Sequence, residues 1–358
     1  MTGPRPAVAI VGLGFGRAHI PAFQANGCDV VAVCQRDEAT ARRVADRYGV
    51  PHVFARWDEM LERARPDIVV IATPPHLHAA IAARAFDLGA HVLCEKPLAM
   101  TRAEADAMAE AAARAKRIAM TGFNWRFTRA FQELRDRITQ GAVGRVFHVS
   151  GRWLGGRWAD AAAPSTWRMD RAQAGHGAMG DMGVHMIDMI RCVVGDFARV
   201  AAHAGMGYPS RTVPGSTKVA DAEDYCAVLG ELTSGAQVAF SVSRVARGAN
   251  EHTLDVWGSA GALSYRLARD LPAWWDGELR MAVQGSFERV DLGAPSPAPG
   301  ADPMDAIGTT MIAPLVARML DGIARGETPS PSFEDGARAQ AVLDAVAASI
   351  ARRVWIDV

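Results

Sequence analysis

The stretch Ala7-Val8-Ala9-Ile10-Val11-Gly12-Leu13-Gly14-Phe15-Gly16-Arg17-Ala18-His19 decides the reading of this chain. A short apolar run ends on a glycine cluster that opens onto a helical pattern. Glycine at these places permits a tight strand-to-helix turn and lets backbone N–H groups approach a pyrophosphate at the positive end of a helix. A lone glycine cluster carries little weight. The preceding strand, the following helix and a second strand at the expected spacing make Gly12, Gly14, Phe15 and Gly16 candidates for a dinucleotide site. The usual third glycine would lie one position later, so the turn is a G-x-G-x-G variant.

Outward from this turn, the chain alternates β-rich runs with alanine-rich amphipathic stretches, the pattern of a parallel sheet covered by crossover helices. The runs Ala7 to Val11, Val30 to Cys34, Ile68 to Ala72, His91 to Cys94 and Ile118 to Thr121 predict strands, and Thr40 to Tyr48, Leu77 to Leu88 and Arg102 to Ala115 predict helices. Thr101, with Glu104 three residues on, makes a capping box. After Asn124 a helix at Ala130 to Ile138 gives way to longer alternating segments: Arg145 to Trp153, Tyr225 to Leu232, Ala236 to Val245 and Thr253 to Trp257. Alternation of this kind belongs to antiparallel strands. A loop at Asp291 to Asp302 and helices at Pro314 to Ala324 and Glu334 to Arg352 follow. The division is an α/β domain over residues 1–123 and an α+β domain over 124–358, whose C-terminal helix can pack back towards the first.

The chain is 358 residues long and 49% hydrophobic, enough for two packed domains. Lys plus Arg and Asp plus Glu both total 39, so no overall field favours nucleic acid or an anionic membrane. The five cysteines are scattered and odd in number, which reads as reduced, buried thiols. With no signal-peptide core in Met1 to Pro6 and no run read as long enough to span a bilayer, the expected compartment is the cytoplasm.

The end of the second strand reads Val33-Cys34-Gln35-Arg36-Asp37. An NAD site ordinarily places an acid here for the ribose 2′-hydroxyl, whereas Gln35 can bond a hydroxyl and Arg36 can pair with a 2′-phosphate. The reading favours NADP over NAD. Asp37 as a displaced acid keeps NAD open.

Two more strand ends face the same crevice, in Thr73-Pro74-Pro75-His76-Leu77-His78 and Cys94-Glu95-Lys96-Pro97. Lys96 there can hydrogen-bond a substrate oxygen and help move its proton, although a strand-end lysine is by default a surface residue. In the second domain, a helix beginning near Gly180 would set Asp181, His185 and Asp188 on one face, placing an acid beside an imidazole suited to proton shuttling. Met179, Met182, Met186 and Met189 read as core packing. His76, His78, His176 and His185 lack metal-ligand spacing, so no metal is expected.

Taken in order, these motifs resemble the Gfo/Idh/MocA oxidoreductases, over essentially the whole chain. The matching residues are Gly12 to Gly16 with His19 to Phe23, Thr73-Pro74-Pro75 with His78, Glu95 to Ala99, Gly122 to Phe127, Trp167-Arg168, Gly175 to Asp188 and Pro331 to Gly336. The resemblance implies a Rossmann domain followed by a large, mostly antiparallel open sheet that serves a homodimer or homotetramer. It implies hydride transfer between a nicotinamide and a sugar, cyclitol or glycoside-like alcohol or ketone, with Lys96, Asp181 and His185 in the catalytic positions. Thr73, Pro74, His78, Glu95 and Pro97 would contact or shape the nicotinamide ribose side. Asn124, Arg126, Trp153, Arg168 and His176 would form the substrate wall, His176 replacing a glycine common in the family. The competing reading is a catalytically silent NAD(P)-sensing regulator of the same fold.

Overall fold

The structure, a computed structural model, describes residues 5–212, 219–296 and 302–358. Residues 1–4 of the N-terminal segment and 297–301 of the loop after Asp291 lie outside them. Two compact units emerge. One takes residues up to Phe127 with 302–337, the other 128–296 with 338–358, counting described residues.

In the first unit, β1 (Ala7–Val11), β2 (Asp29–Cys34), β3 (His52–Phe54), β4 (Ile68–Ile71), β5 (His91–Cys94) and β6 (Ala119–Thr121) form a parallel sheet in the order β3-β2-β1-β4-β5-β6. All four residues of β4 are buried, which is why its sequence is a continuous Ile/Val run and not an alternation. The strand order reverses between β1 and β4, so the loops after those strands flank the crevice where such sheets take ligands. The helix Arg102–Ala115 begins as expected: Thr101 Oγ1 accepts from Glu104 N at 3.2 Å, and the Glu104 carboxylate accepts from Met100 N at 2.8 Å. The sequence reading omitted β3 and the helix Trp57–Ala64. β3 is a half-exposed edge strand of three residues, too short to show a period.

The first unit is not one continuous segment. Asp302 caps the helix Pro303–Ile307, a wide π-type turn spans Gly308–Ile312, and the helix Ala313–Arg325 follows without a break. Arg47 pairs with Asp302 at 2.6 Å and with Asp305 at 2.7 Å, and Asn26 Nδ2 donates to Ala313 O at 3.0 Å. Pro314 had marked a helix start; the wide turn just upstream accommodates a residue lacking an N–H inside a longer helical run. That run, Pro303–Arg325, corrects the expectation that no apolar segment reaches bilayer length. It has the length and hydropathy to cross a membrane, and half of its apolar window is buried as a core helix is.

In the second unit, β7 (Val146–Gly155), β8 (Phe197–Gly205), β9 (Tyr225–Leu232), β10 (Gln237–Ser243), β11 (Asn250–Gly258), β12 (Ala262–Ala268), β13 (Glu278–Ala282), β14 (Glu288–Arg289) and β15 (Ile356–Asp357) form a nine-stranded sheet. Its order is β14-β13-β12-β11-β7-β10-β9-β8-β15, antiparallel throughout except for the parallel pair β7 and β10. Val228, Val238, Phe240, Val242, Leu254 and Val256 are buried on the inner face, where the helix Val184–Val193 packs on β7. The outer face alternates out, with Tyr225 and Leu229 exposed. The sequence missed β8 because Phe197–Gly205 is alanine-rich, and β14 and β15 because they are two-residue edges. The final helix, Phe333–Arg352, is shared: residues to Ala337 belong to the first unit and the rest to the second.

Candidate functional site

The first unit gathers most of the expected cofactor residues at the carboxyl ends of β1, β2, β4 and β5. Gly12 has φ of 89°, and a Cβ there would lie 2.5 Å from the Ala72 carbonyl oxygen, so only glycine lets the turn pass this close to the end of β4. Gly12 N donates to Cys34 O at 2.9 Å, and Leu13 N donates to Gln35 Oε1 at 3.1 Å. Gln35 therefore braces the glycine turn. Gly14 is exposed, and a Cβ on it would meet nothing within 4 Å. No protein neighbour demands glycine there, which fits a backbone left bare for a pyrophosphate. Thr73 Oγ1 is buried without a hydrogen-bond partner, a second feature that fits a bound ribose or carboxamide. Both observations fit the dinucleotide expected from the turn.

Glu95 and His19 form a buried pair, with His19 Nε2 donating to Glu95 Oε1 at 2.8 Å. A Cβ at Gly122 would meet that carboxylate at 2.8 Å, so the Glu95 side chain fills the space above the end of β6. His19 lies in the quoted motif but had received no role; its partner stands too far along the chain for spacing to reveal. His78 is fully buried between two carbonyls, Nδ1 facing Leu98 O at 3.1 Å and Nε2 facing Thr73 O at 2.9 Å. Burial pushes its pKa down. It shapes the Thr73 loop from behind. Lys96 is half-buried beside the buried Pro97.

Beyond β2, Arg36 is exposed, with exposed Arg42 and Arg43 on the next helix. Asp37, the alternative acid for an NAD ribose, is instead the N-cap of Glu38–Tyr48. Its carboxylate accepts from Ala39 N, Thr40 N and Thr40 Oγ1, and these bonds lower its pKa.

The second unit pairs Arg168 with Asp181 and Trp153 with His185. Residues Met179–Gly183 make a π-type turn that leads into Val184–Val193, so Asp181 and His185 are separated by a wider turn than the regular helix expected. Arg168 Nε donates to Asp181 Oδ1 at 3.3 Å, and its guanidinium lies 4.4 Å from the Trp167 ring centroid. The Trp153 ring stacks on His185 with centroids 5.3 Å apart and also lies against His252 at 4.1 Å. His252 shares a 2.9 Å hydrogen bond with the Tyr265 hydroxyl, and burial holds its pKa down at about 3, so it is a neutral support for Trp153. Sequence reasoning had no signal for His252 or Tyr265, which the β11–β12 register makes diagonal neighbours, His252 lying opposite Leu267 and Tyr265 opposite Leu254.

The remaining expected wall residues, Arg126, Asn124 and His176, are buried. Arg126, in the first unit, is buried with Nη1 donating to Ser330 Oγ at 2.7 Å and Nη2 3.5 Å from Asp335. Asn124 is buried 4.0 Å from Met311 Sδ. His176 is buried in the second unit, 3.4 Å from Gln340 Nε2 and 4.0 Å from Asp344 on the final helix, and burial pushes its pKa down. The side chains that meet these three come from far away in the sequence: Ser330 and Asp335 for Arg126, Met311 for Asn124, and Gln340 with Asp344 for His176.

Two family models cover most of the chain: "Oxidoreductase family, NAD-binding Rossmann fold" matches residues 7–123, and "GFO/IDH/MocA C-terminal domain" matches residues 131–264. Levoglucosan dehydrogenase of Pseudarthrobacter phenanthrenivorans is 30% identical over 98% of this chain and 97% of its own. Inositol 2-dehydrogenase of Rhizobium meliloti is 28% identical over 98% of both. Among solved structures, levoglucosan dehydrogenase in complex with NADH and levoglucosan superposes with a TM-score of 0.88 at 30% identity, covering 99% of each chain.

Proposed function

The chain belongs to the Gfo/Idh/MocA oxidoreductase family, NAD(P)-dependent enzymes of CH–OH groups, and we propose that it oxidises a neutral sugar, cyclitol or glycoside alcohol, or reduces the matching ketone. The observation that carries this reading is the stack of His185 on Trp153, with Asp181 in the turn just upstream and held by Arg168. The nicotinamide, when bound, supplies the hydride acceptor or donor. Lys96 hydrogen-bonds the reacting oxygen through Nζ, and His185 takes its proton on a ring nitrogen. Asp181 stabilises the charged imidazole, and Trp153 and Arg168 form the wall against the substrate. Two candidate guanidiniums face carboxylates, Arg126 with Asp335 and Arg168 with Asp181, which favours an uncharged polyol over a sugar acid or phosphate.

Gly12, Gly14, Phe15, Gly16 and Gln35 hold the dinucleotide in this reading. NADP is favoured because Arg36 is exposed past β2 while Asp37 is spent as a cap. Levoglucosan dehydrogenase binds NADH, so both dinucleotides enter the test. The five cysteines stand outside any disulfide, and burial pushes the Cys34 thiol up to about 12, which supports a reducing cytoplasm. A second copy of the chain is the proposed partner on the outer face of the nine-stranded sheet, where a shallow trough of small residues runs past Leu229.

The test is binding of NADP against NAD, then a screen of sugars, inositols and glycosides with the tighter one. Lys96→Ala and His185→Ala are each expected to cut kcat by roughly 10²- to 10⁴-fold while the fold and cofactor affinity stay intact. Full turnover in either variant removes the mechanism.

A further inference from the structure

Three successive backbone N–H groups at the start of the turn carrying Asp181 all donate to one residue far away in sequence. Gly177 N and Met179 N donate to Glu223 Oε1 at 2.8 and 3.1 Å, and Ala178 N donates to the Glu223 carbonyl at 2.8 Å. The other carboxylate oxygen, Oε2, accepts from Arg171 Nη2 at 3.1 Å. Such N–H groups have no carbonyl of their own helix to meet and are ordinarily capped by a neighbouring Ser, Thr, Asp or Asn. Here the cap position is Ala178, whose side chain cannot serve. Glu223, nearly buried, takes the place of the local cap and brings a negative charge to the positive end of the helix. The two backbones are in contact: a Cβ at Gly177 would fall 2.0 Å from the Glu223 carbonyl oxygen.

The adjacent residue reaches the same aspartate by a second route. Asp224 Oδ1 accepts from Arg244 Nε at 2.8 Å in a fully buried pair, and Arg244 Nη1 donates to Arg168 O at 2.9 Å. Arg168 in turn donates to Asp181. Glu223 thus fixes the backbone of the turn, while Asp224 fixes the residue that grips its side chain.

We propose that Glu223 is a positioning residue for proton transfer, clamping the Met179–Gly183 turn so that Asp181 and His185 keep their working arrangement. The inference rests on the reading of Asp181 and His185 given above. Its signature is a split: turnover falls, while the cofactor, held by glycines in the first unit, binds as before.

The experiment compares full-length wild type with Glu223→Gln, Glu223→Asp and His185→Ala. It measures cofactor Kd, kcat on the substrate found in the screen, and hydrogen exchange in a peptide spanning Gly177 to Gly183. Glu223→Gln is expected to lower kcat roughly ten- to a hundredfold, to leave Kd within about twofold and to speed exchange in that peptide. Glu223→Asp, which keeps the charge but withdraws the oxygens by one methylene, is read the same way if the glutamine variant does not fold. Wild-type kcat or wild-type exchange in the folded variant overturns the inference. Loss of turnover in His185→Ala alone leaves the proton-transfer reading standing and the clamp refuted. Full turnover in His185→Ala removes the catalytic purpose of the clamp, whatever the exchange shows.

Discussion

His252 supports Trp153 from behind at the cost of acid sensitivity. Its imidazole, buried against Tyr265 and near Arg269, titrates at about 3 in the folded chain against an ordinary 6.5. Above that ordinary value both states are neutral, and the shift contributes nothing. As pH falls through 6.5, the unfolded chain gains a proton that the folded one does not, so stability drops. The loss reaches about 2 kcal/mol by about pH 5 and continues until the folded imidazole titrates. His252→Asn is therefore expected to lose less stability than wild type between about pH 7 and pH 5, each protein compared with its own neutral value by denaturant midpoint. Equal losses would show that His252 is not the sensitive group. At this scale the sequence was only partly legible. Lys96, Asp181 and His185 stand inside motifs, whereas Glu223 and His252 stand in none, and they and the motif residue His19 owe their surroundings to partners that the fold brings in from elsewhere.

The β1–turn–helix element was the most legible part of the chain, because its glycines stand together between a strand pattern and a helix pattern. Gly12 answers two demands at once, a left-handed φ and a carbonyl from the end of β4 where a side chain would begin. Gly12→Ala is expected to destabilise the first unit by about 1–3 kcal/mol and to weaken dinucleotide binding, read by thermal shift with and without cofactor. Unchanged binding would mean that the turn does not hold the phosphates. Elements defined by pairing were harder to read. β3, β14 and β15 are two or three residues long and take their identity from the neighbouring strand, which no window of sequence contains. The wide turn at Met179–Gly183 was hidden for a similar reason, since its opening is capped by Glu223 and not by the residue before it.

At the scale of the whole molecule, the nine-stranded sheet leaves one face uncovered by the described residues of its own unit. Leu229 is 49% exposed on that face, on the interior strand β9 beside Ala227. A second copy would bury it, and Leu229→Glu would then place charges against the partner. The substitution is expected to shift the protein towards monomer at micromolar concentration while the monomer stays folded, as followed by analytical ultracentrifugation. An unchanged assembly would exclude this face as the contact.

The connection between the units carries a different consequence, one of timing. Residues 302–337 complete the first unit: Thr121 N donates to Pro331 O at 2.9 Å, Met120 bridges to Ser332, and Arg47 waits for Asp302 and Asp305. During synthesis the glycine turn and its sheet leave the ribosome well before their last supports, residues 302–337, are translated. The nucleotide-binding half is therefore finished late, after strands β7 to β14 of the other unit have been made, and a message cut short before Asp302 would yield a cofactor site without its buttress.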